Sequence, residues 1–121
     1  MNRDYKLFLR DIIQAMESIE KFVEGMSYEE FREDDKTSSA VIRKFEVIGE
    51  ATKNIPKGVR NKHPEIPWKR MAGMRDRLIH GYFTIDHKLV WNAIKLEIPD
   101  LKPKLQELLT KLEKEAENEH A

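Results

Sequence analysis

The sequence predicts an all-α fold: an antiparallel bundle of about four to five helices that forms a single domain over residues 1–121. Apolar residues recur every three or four positions in several long stretches, which is typical of helices with one buried face. Nothing alternates with a period of two for long enough to predict a strand. The long stripes exceed what one small domain needs, so we expect two copies to dimerise through the long helices. Packing within one chain accounts for most of the same residues.

The first helix is predicted from apolar residues spaced 4-3-4-3-4-3, which are Tyr5, Leu9, Ile12, Met16, Ile19, Val23 and Met26. Gly25 marks its end, because glycine readily takes the left-handed conformation that closes helices. Ser27 and Glu30 have the spacing of a capping box, which predicts a short helical turn after Ser27.

A second long helix is predicted after the charged connector of residues 32–36. Its candidate N-caps are Thr37, Ser38 and Ser39. Its apolar stripe reaches Ile55, and Pro56 stops it. Residues 56–67 hold three prolines and one glycine, which predicts an irregular loop of about a dozen residues, and loops of that length are often functional.

A third helix is expected to start at Pro67 and to end at His80, with Gly81 in the left-handed position. Thr84 or Asp86 then caps a final segment whose apolar stripe runs from Trp91 to Leu112. Pro99 and Pro103 interrupt that stripe, so we expect a kinked helix or two helices in near-continuity.

The composition excludes several classes of protein. There is no cysteine, which rules out disulfides, a thiol nucleophile and cysteine-based metal sites. No apolar run is long enough to span a membrane and the N-terminus lacks the apolar region of a signal peptide, so we expect a cytoplasmic protein. The four histidines are spread without the spacing of a metal site, and no cofactor-binding motif is present, so neither a metal nor a cofactor is expected.

The zero net charge hides an asymmetry along the chain. Residues 1–35 carry five basic and ten acidic residues, a net charge of −5, whereas residues 53–77 carry eight basic and two acidic residues, a net charge of +6. A basic middle segment between acidic ends suits a site for a polyanion. A solvated face with its counter-charges nearby explains the same pattern.

The segment of residues 73–83 gathers two arginines, a histidine, a carboxylate and a tyrosine. Residues five apart lie about 140° from each other on an ideal helix. Arg75 and His80 therefore converge only if His80 lies where the helix ends. Taken singly, each residue has an ordinary explanation: the arginines pair with Asp76 or a glutamate, His80 favours the negative end of the helix, and Tyr82 packs.

Taken together, these residues resemble a known family. The string Arg75-x4-His80-x-Tyr82, preceded by Ile66-Pro67-Trp68 and Gly73-Met74, and by the run Glu46-Val47-Ile48-Gly49-Glu50-Ala51, closely resembles the HepT-like toxins of the HEPN superfamily. The resemblance extends from the first helix to about Leu101. Asp76 departs from the family pattern, in which asparagine is common at this position.

The resemblance implies a metal-independent endoribonuclease, the toxin of a type VII-like toxin–antitoxin pair whose antitoxin is a minimal nucleotidyltransferase. Two copies of such a toxin form a composite site across a homodimer interface. By motif position, Arg75 and His80 are the catalytic residues, Asp76 and Arg77 support them, and Tyr82 is the tyrosine that the antitoxin modifies with AMP. The basic residues that we expect to contact RNA are Lys57, Arg60, Lys62, Lys69 and Arg70.

The chemistry of the residues agrees with this interpretation. Metal-free RNA cleavage needs a base for the 2′-hydroxyl proton, a cation for the charge that builds on the phosphate, and an acid for the leaving 5′-oxygen. His80 suits the base or the acid, and Arg75 offers a planar fork for phosphate. A rival hypothesis is a catalytically silent helical subunit that binds a nucleotidyltransferase or a nucleotide. A third is a purely structural dimerisation bundle.

Two further expectations concern the second long helix. Gly49 in its middle costs about 1 kcal/mol relative to alanine, which indicates that another part of the chain approaches the backbone there. Glu46 and Glu50 lie one turn apart and either brace Arg43 or Arg75, or face solvent.

Overall fold

Three long helices form the frame of the molecule. The computed structural model describes residues 4–80 and 84–119, with His80 described by its backbone. The long helices are α1 (Tyr5–Phe22), α3 (Asp35–Lys53) and α8 (Ile98–Glu119), and α1 packs against both of the others. Their inner faces carry most of the fully buried apolar side chains. The prediction of an all-α helical bundle is confirmed, with eight α-helices over the described residues because several predicted segments are divided.

The first helix and the turn that follows it form as the sequence predicts. Leu9, Ile12 and Met16 on α1 have no exposed surface. Gly25 has φ +77°, the left-handed conformation expected after the helix. Ser27 and Glu30 form the predicted capping box, with the Ser27 hydroxyl accepting from the Glu30 N–H and the Glu30 carboxylate accepting from the Ser27 N–H, and α2 spans Tyr28–Glu33.

The start of α3 differs from the prediction. Its N-cap is Asp34, whose carboxylate accepts hydrogen bonds from the N–H and the hydroxyl of Thr37. The three predicted caps, residues 37–39, lie inside the helix, and the Ser38 hydroxyl is buried and donates to the Phe31 carbonyl. Asp34 is both the residue that follows α2 and the N-cap of α3, so the two helices meet at Asp34 without the connector that was predicted for residues 32–36.

The predicted irregular loop contains a short helix, α4 (Lys57–Lys62), with Pro56 as its N-cap. The predicted third helix is two helices, α5 (Trp68–Ala72) and α6 (Met74–Leu78), which meet at Gly73. Pro67 is the N-cap of α5. Glycine is a poor helix former, so the chain breaks where Gly73 lies.

Two short strands follow α6. Strand β1 (Ile79–His80) pairs antiparallel with β2 (Thr84–Ile85), with Ile79 opposite Ile85 and His80 opposite Thr84. These two-residue strands are a local connection in a helical protein. Neither was predicted, because two residues are too few to show a period of two.

The final segment breaks as predicted, but at a different place. Asp86 caps α7 (His87–Asn92), accepting from the Leu89 N–H. A single π-helical turn (Ala93–Glu97) then joins α7 to α8. Pro99 and Pro103 both lie within α8, so the change of helical pitch precedes the prolines.

None of the helices over residues 4–80 and 84–119 is both long and apolar enough to cross a membrane.

Candidate functional site

The motif segment lies on the shortest helices of the fold. Helix α6 carries Arg75, Asp76 and Arg77 and ends at Leu78, two residues earlier than expected. Ile79 is extended (φ −127°, ψ 127°), because it pairs with Ile85 rather than continuing the helix. His80 therefore lies beyond the end of α6. Arg75 and His80 can converge only in that case, because they would lie on different faces of a continuous helix.

Parts of the predicted site fall outside what the structure describes. Gly81 and Tyr82 lie outside the described residues, and so does the side chain of His80. The geometry of the site is therefore built from α3, α5, α6 and the turn that precedes α8.

Arg75 faces a small cleft between α6 and α3. Its guanidinium Nη1 lies 3.6 Å from the Asp76 Oδ1, and its side chain is about half exposed, at 48%. The cleft has a volume of about 150 Å³. The residues that line it are Arg43, Glu46, Gly49, Glu50, Lys53, Ala72, Arg75 and Asp76. Arg75 is thus an accessible cation in a cleft that is lined by three basic and three acidic side chains.

The glutamates of α3 share this cleft with Arg75. Glu50 pairs with Lys53, whose Nζ lies 3.4 Å from its Oε1, and both side chains are exposed. The ion pair that the structure records for Arg75 is with Asp76. Glu50 therefore faces solvent with its own partner, and the alternative in which it braces Arg75 is not supported.

Arg77 points away from this cleft. Its Nη2 donates a 3.1 Å hydrogen bond to Oε1 of Glu97, and its side chain is 30% exposed. The same oxygen accepts a 2.9 Å hydrogen bond from Nε of Arg70. Arg77 Nε is buried and has no hydrogen-bond partner among the described residues. Arg77 is therefore held within the protein by Glu97.

The charge of Glu97 is stabilised by these partners. Burial alone would raise the pKa of its carboxyl, but the hydrogen bonds and positive charges of Arg70 and Arg77 outweigh burial and hold that pKa below its ordinary value. The same hydrogen bond raises the pKa of Arg70. Sequence reasoning missed Glu97, because it lies 20 residues from Arg77 and no local pattern connects them.

A second, larger cleft gathers most of the predicted RNA-binding residues. It has a volume of about 750 Å³. Its lining residues are Lys57, Arg60, Asn61, Pro64, Ile66, Pro67, Trp68, Lys69 and Arg70. Four of the five predicted residues meet here, and none of the lining residues is acidic. Lys62 is the exception, since it lines a different cavity together with Tyr5 and Lys111.

Trp68 lines this basic cleft and is held in place by a hydrogen bond. Trp68 is 6% exposed, and its indole Nε1 donates a 2.9 Å hydrogen bond to the His63 carbonyl. Arg60 lies on the wall with a buried Nε that has no hydrogen-bond partner among the described residues. The basic cleft thus presents four cationic side chains beside the buried indole of Trp68.

No group of three or more His, Asp or Glu side chains within the described part of the chain is arranged to hold a metal ion.

Comparison with known proteins points to one family. Residues 12–108 match the family described as "Ribonuclease HepT-like". A protein named "Probable ribonuclease HepT" from Thermococcus cleftensis is 50% identical over 108 residues, covering 89% of this chain and 98% of the relative. Two proteins of Methanocaldococcus jannaschii, named "Putative RNase MJ1216" and "Putative RNase MJ0125", are 47% and 50% identical. They cover 96% and 92% of this chain, and 96% of each relative. No solved structure gives a significant match.

Proposed function

Because this chain belongs to the HepT-like ribonuclease family and is a ribonuclease, we propose that it is a metal-independent endoribonuclease that cleaves RNA by attack of a 2′-hydroxyl. The observation that carries this proposal is the position of Arg75, half exposed beside an open cleft on a helix that ends just before His80. The motif thereby offers a phosphate-binding cation on α6 and a titratable imidazole in the strand that follows it.

The reaction needs no group beyond these side chains and the substrate. A base takes the proton of the 2′-hydroxyl, and the 2′-oxygen attacks the adjacent phosphorus. The bond from phosphorus to the 5′-oxygen breaks, and an acid protonates that leaving oxygen. The products are a 2′,3′-cyclic phosphate and a 5′-hydroxyl. His80 supplies the base or the acid, since an unperturbed imidazole titrates at about pH 6.5, and Arg75 stabilises the charge on the phosphate oxygens.

A homodimer would supply both roles at once, one histidine from each copy acting as base and the other as acid. We propose that such an interface includes Leu96, which is 69% exposed and precedes Glu97, the partner of Arg77 on the motif helix. Because a single exposed leucine is ordinary on a protein surface, the assembly of a Leu96 variant decides this placement.

The basic cleft is the proposed path of the RNA backbone. Lys57, Arg60 and Lys69 supply positive charge without a lining carboxylate, and Arg70 connects the cleft through Glu97 to the motif helix. Such a surface binds phosphates independently of sequence.

We place this ribonuclease in a toxin–antitoxin pair with a minimal nucleotidyltransferase as antitoxin. The support is the family and the position of Tyr82, two residues after His80. An AMP group on Tyr82 would bring a negative phosphate and a bulky base to the site that holds the RNA phosphate, so substrate would be repelled and blocked.

The experiment that tests the proposal is cleavage of an end-labelled RNA pool in EDTA by wild type and by His80→Ala. Intact mass confirms that Tyr82 is free. We expect cleavage by wild type only, with 2′,3′-cyclic phosphate ends. Cleavage that requires Mg²⁺ would contradict the mechanism, and no cleavage by a folded, unmodified dimer would favour the silent partner subunit.

A further inference from the structure

The motif helix has little of its own to hold it in place. Helix α6 is five residues long, and no side chain caps its N-terminus. A helix this short is unstable alone and depends on tertiary contacts. Met74 and Leu78 are fully buried beneath it, which fixes its depth and its inward face but leaves its angle to α5 to other contacts.

Glu97 connects the two helices on either side of Gly73. One of its carboxylate oxygens accepts from Arg70 on α5 and from Arg77 on α6, at 2.9 and 3.1 Å. The junction between these helices is a glycine, the residue with the greatest conformational freedom. A carboxylate that binds both arms fixes the angle at this junction.

The position of Glu97 in the chain is also unusual. It is the last residue of the π-helical turn between α7 and α8. Such turns are rare and occur frequently at functional sites. The extra residue in the turn changes the direction in which the following side chains point, and Glu97 is one-fifth exposed and faces the two arginines.

We infer that Glu97 is a positioning residue of the RNA site, which orients the helix of Arg75 relative to the basic cleft by binding Arg70 and Arg77 together. This inference rests on the proposed ribonuclease mechanism. Arg77 then acts through the protein and does not contact RNA, since its guanidinium is bound by Glu97 and its Nε is buried.

A positioning role and a merely structural role predict different kinetics. Glu97 is also a negative charge beside Arg70 of the basic cleft, so its neutralisation strengthens the attraction of an RNA polyanion. Loss of position lowers the rate of the chemical step. Loss of position therefore lowers kcat, and loss of the negative charge lowers KM. Partial unfolding lowers only the fraction of active enzyme and leaves KM unaltered.

The test is steady-state cleavage of a defined RNA by Glu97→Gln, with Glu113→Gln as the matched control. Glu113 is a surface carboxylate that pairs with a single arginine, with Nη2 of Arg10 3.3 Å from its Oε1. We expect Glu97→Gln to lower kcat about tenfold to a hundredfold and to lower KM, while Glu113→Gln leaves both unchanged. Arg77→Lys, which keeps the charge but loses the planar fork, should lower kcat without the fall in KM.

The outcomes separate the inference from the proposed function. An unchanged kcat in folded Glu97→Gln, with an active wild type, overturns the inference alone. Unfolding of both Glu97→Gln and Arg77→Lys also overturns it, because the pair then serves stability only. A wild type that does not cleave RNA overturns the proposed function and this inference together.

Discussion

Gly49 on α3 lies against the backbone of Ala72 on α5, next to the helix that carries the motif. A Cβ atom on Gly49 would lie 3.2 Å from the Ala72 carbonyl oxygen. The prediction that another part of the chain approaches this glycine is confirmed. Because α5 continues through Gly73 into α6, the contact sets how close the motif helix lies to α3.

Gly49→Ala and Gly58→Ala are therefore expected to differ in stability. Both remove the helix cost of glycine, but a Cβ on Gly58 would meet nothing within 4 Å. We expect Gly58→Ala to raise the free energy of unfolding by about 0.5–1 kcal/mol, and Gly49→Ala to leave it unchanged or to lower it. Urea denaturation followed by circular dichroism measures both. Equal stabilisation by the two variants would show that the contact at Gly49 is loose.

Arg75→Ala is expected to lower kcat/KM for RNA by about a hundredfold or more, because it removes the cation that stabilises the phosphate charge. Arg32→Ala is the matched control. Arg32 is 55% exposed and lies 3.7 Å from the carboxylate of the next residue, Glu33, much as Arg75 lies beside Asp76. Cleavage assays on both variants test the prediction, and it fails if the two lose activity equally.

Tyr82→Phe should fold and cleave RNA as wild type does, yet escape silencing by the nucleotidyltransferase, since it lacks the hydroxyl that accepts AMP. Tyr28→Phe is the control, a tyrosine on α2 with Lys88 Nζ 4.4 Å from its ring centroid. The measurement is RNA cleavage and intact mass after incubation with antitoxin and ATP. Silencing of Tyr82→Phe would place the modification on another residue.

Leu96→Lys is expected to convert a dimer into monomers and to abolish cleavage, because a buried lysine at the interface is costly. Phe22→Lys is the control, since Phe22 is the other large apolar side chain among the described residues that is exposed, at 39%. Sedimentation velocity reports the assembly of each variant. A Leu96→Lys dimer that still cleaves RNA would exclude this face from the interface.

Glu97 should make stability depend on pH in acid. Its folded-state pKa is lower than the ordinary value of 4.5, despite burial, because Arg70 and Arg77 bind the carboxylate. The stabilisation is therefore present above the unfolded-state pKa and is lost as the pH falls through the folded-state pKa. We expect Glu97→Gln to be about 1 kcal/mol less stable than wild type at pH 7.

The same two proteins should become equally stable in strong acid, where Glu97 is protonated. Urea denaturation at pH 7, at pH 5 and at about pH 2.5 follows the difference. A stability difference that persists unchanged at the lowest pH would mean that Glu97→Gln is destabilised by something other than the loss of the negative charge.

Much of the fold was predictable because its signals are local. The stripe of α1, the left-handed Gly25 and the capping box of Ser27 depend on residues a few positions apart, and each was predicted. The cap of α3 was predicted wrongly because four neighbouring residues can all serve as caps. In the structure Thr37 donates to the Asp34 carboxylate and the Ser38 hydroxyl donates to the Phe31 carbonyl, so neither caps the helix.

The site was predictable in composition but not in arrangement. Arg75 and four of the basic residues of the cleft were found from motif and charge. The contacts of Glu97 were not predicted, because its partners lie 20 and 27 residues earlier in the chain. The division of the third helix at Gly73 was not predicted either, since a glycine within a helical pattern is often tolerated.

The difference in helix length has a consequence for hydrogen exchange. The frame consists of helices of 18, 19 and 22 residues, whereas the basic cleft and the motif are built on helices of five and six residues. Amide protons of the short helices exchange with solvent through local opening, while those of the frame wait for global unfolding. We therefore expect the helices that carry the motif and the basic cleft to open locally many times within the lifetime of one folded molecule, while α1, α3 and α8 stay intact.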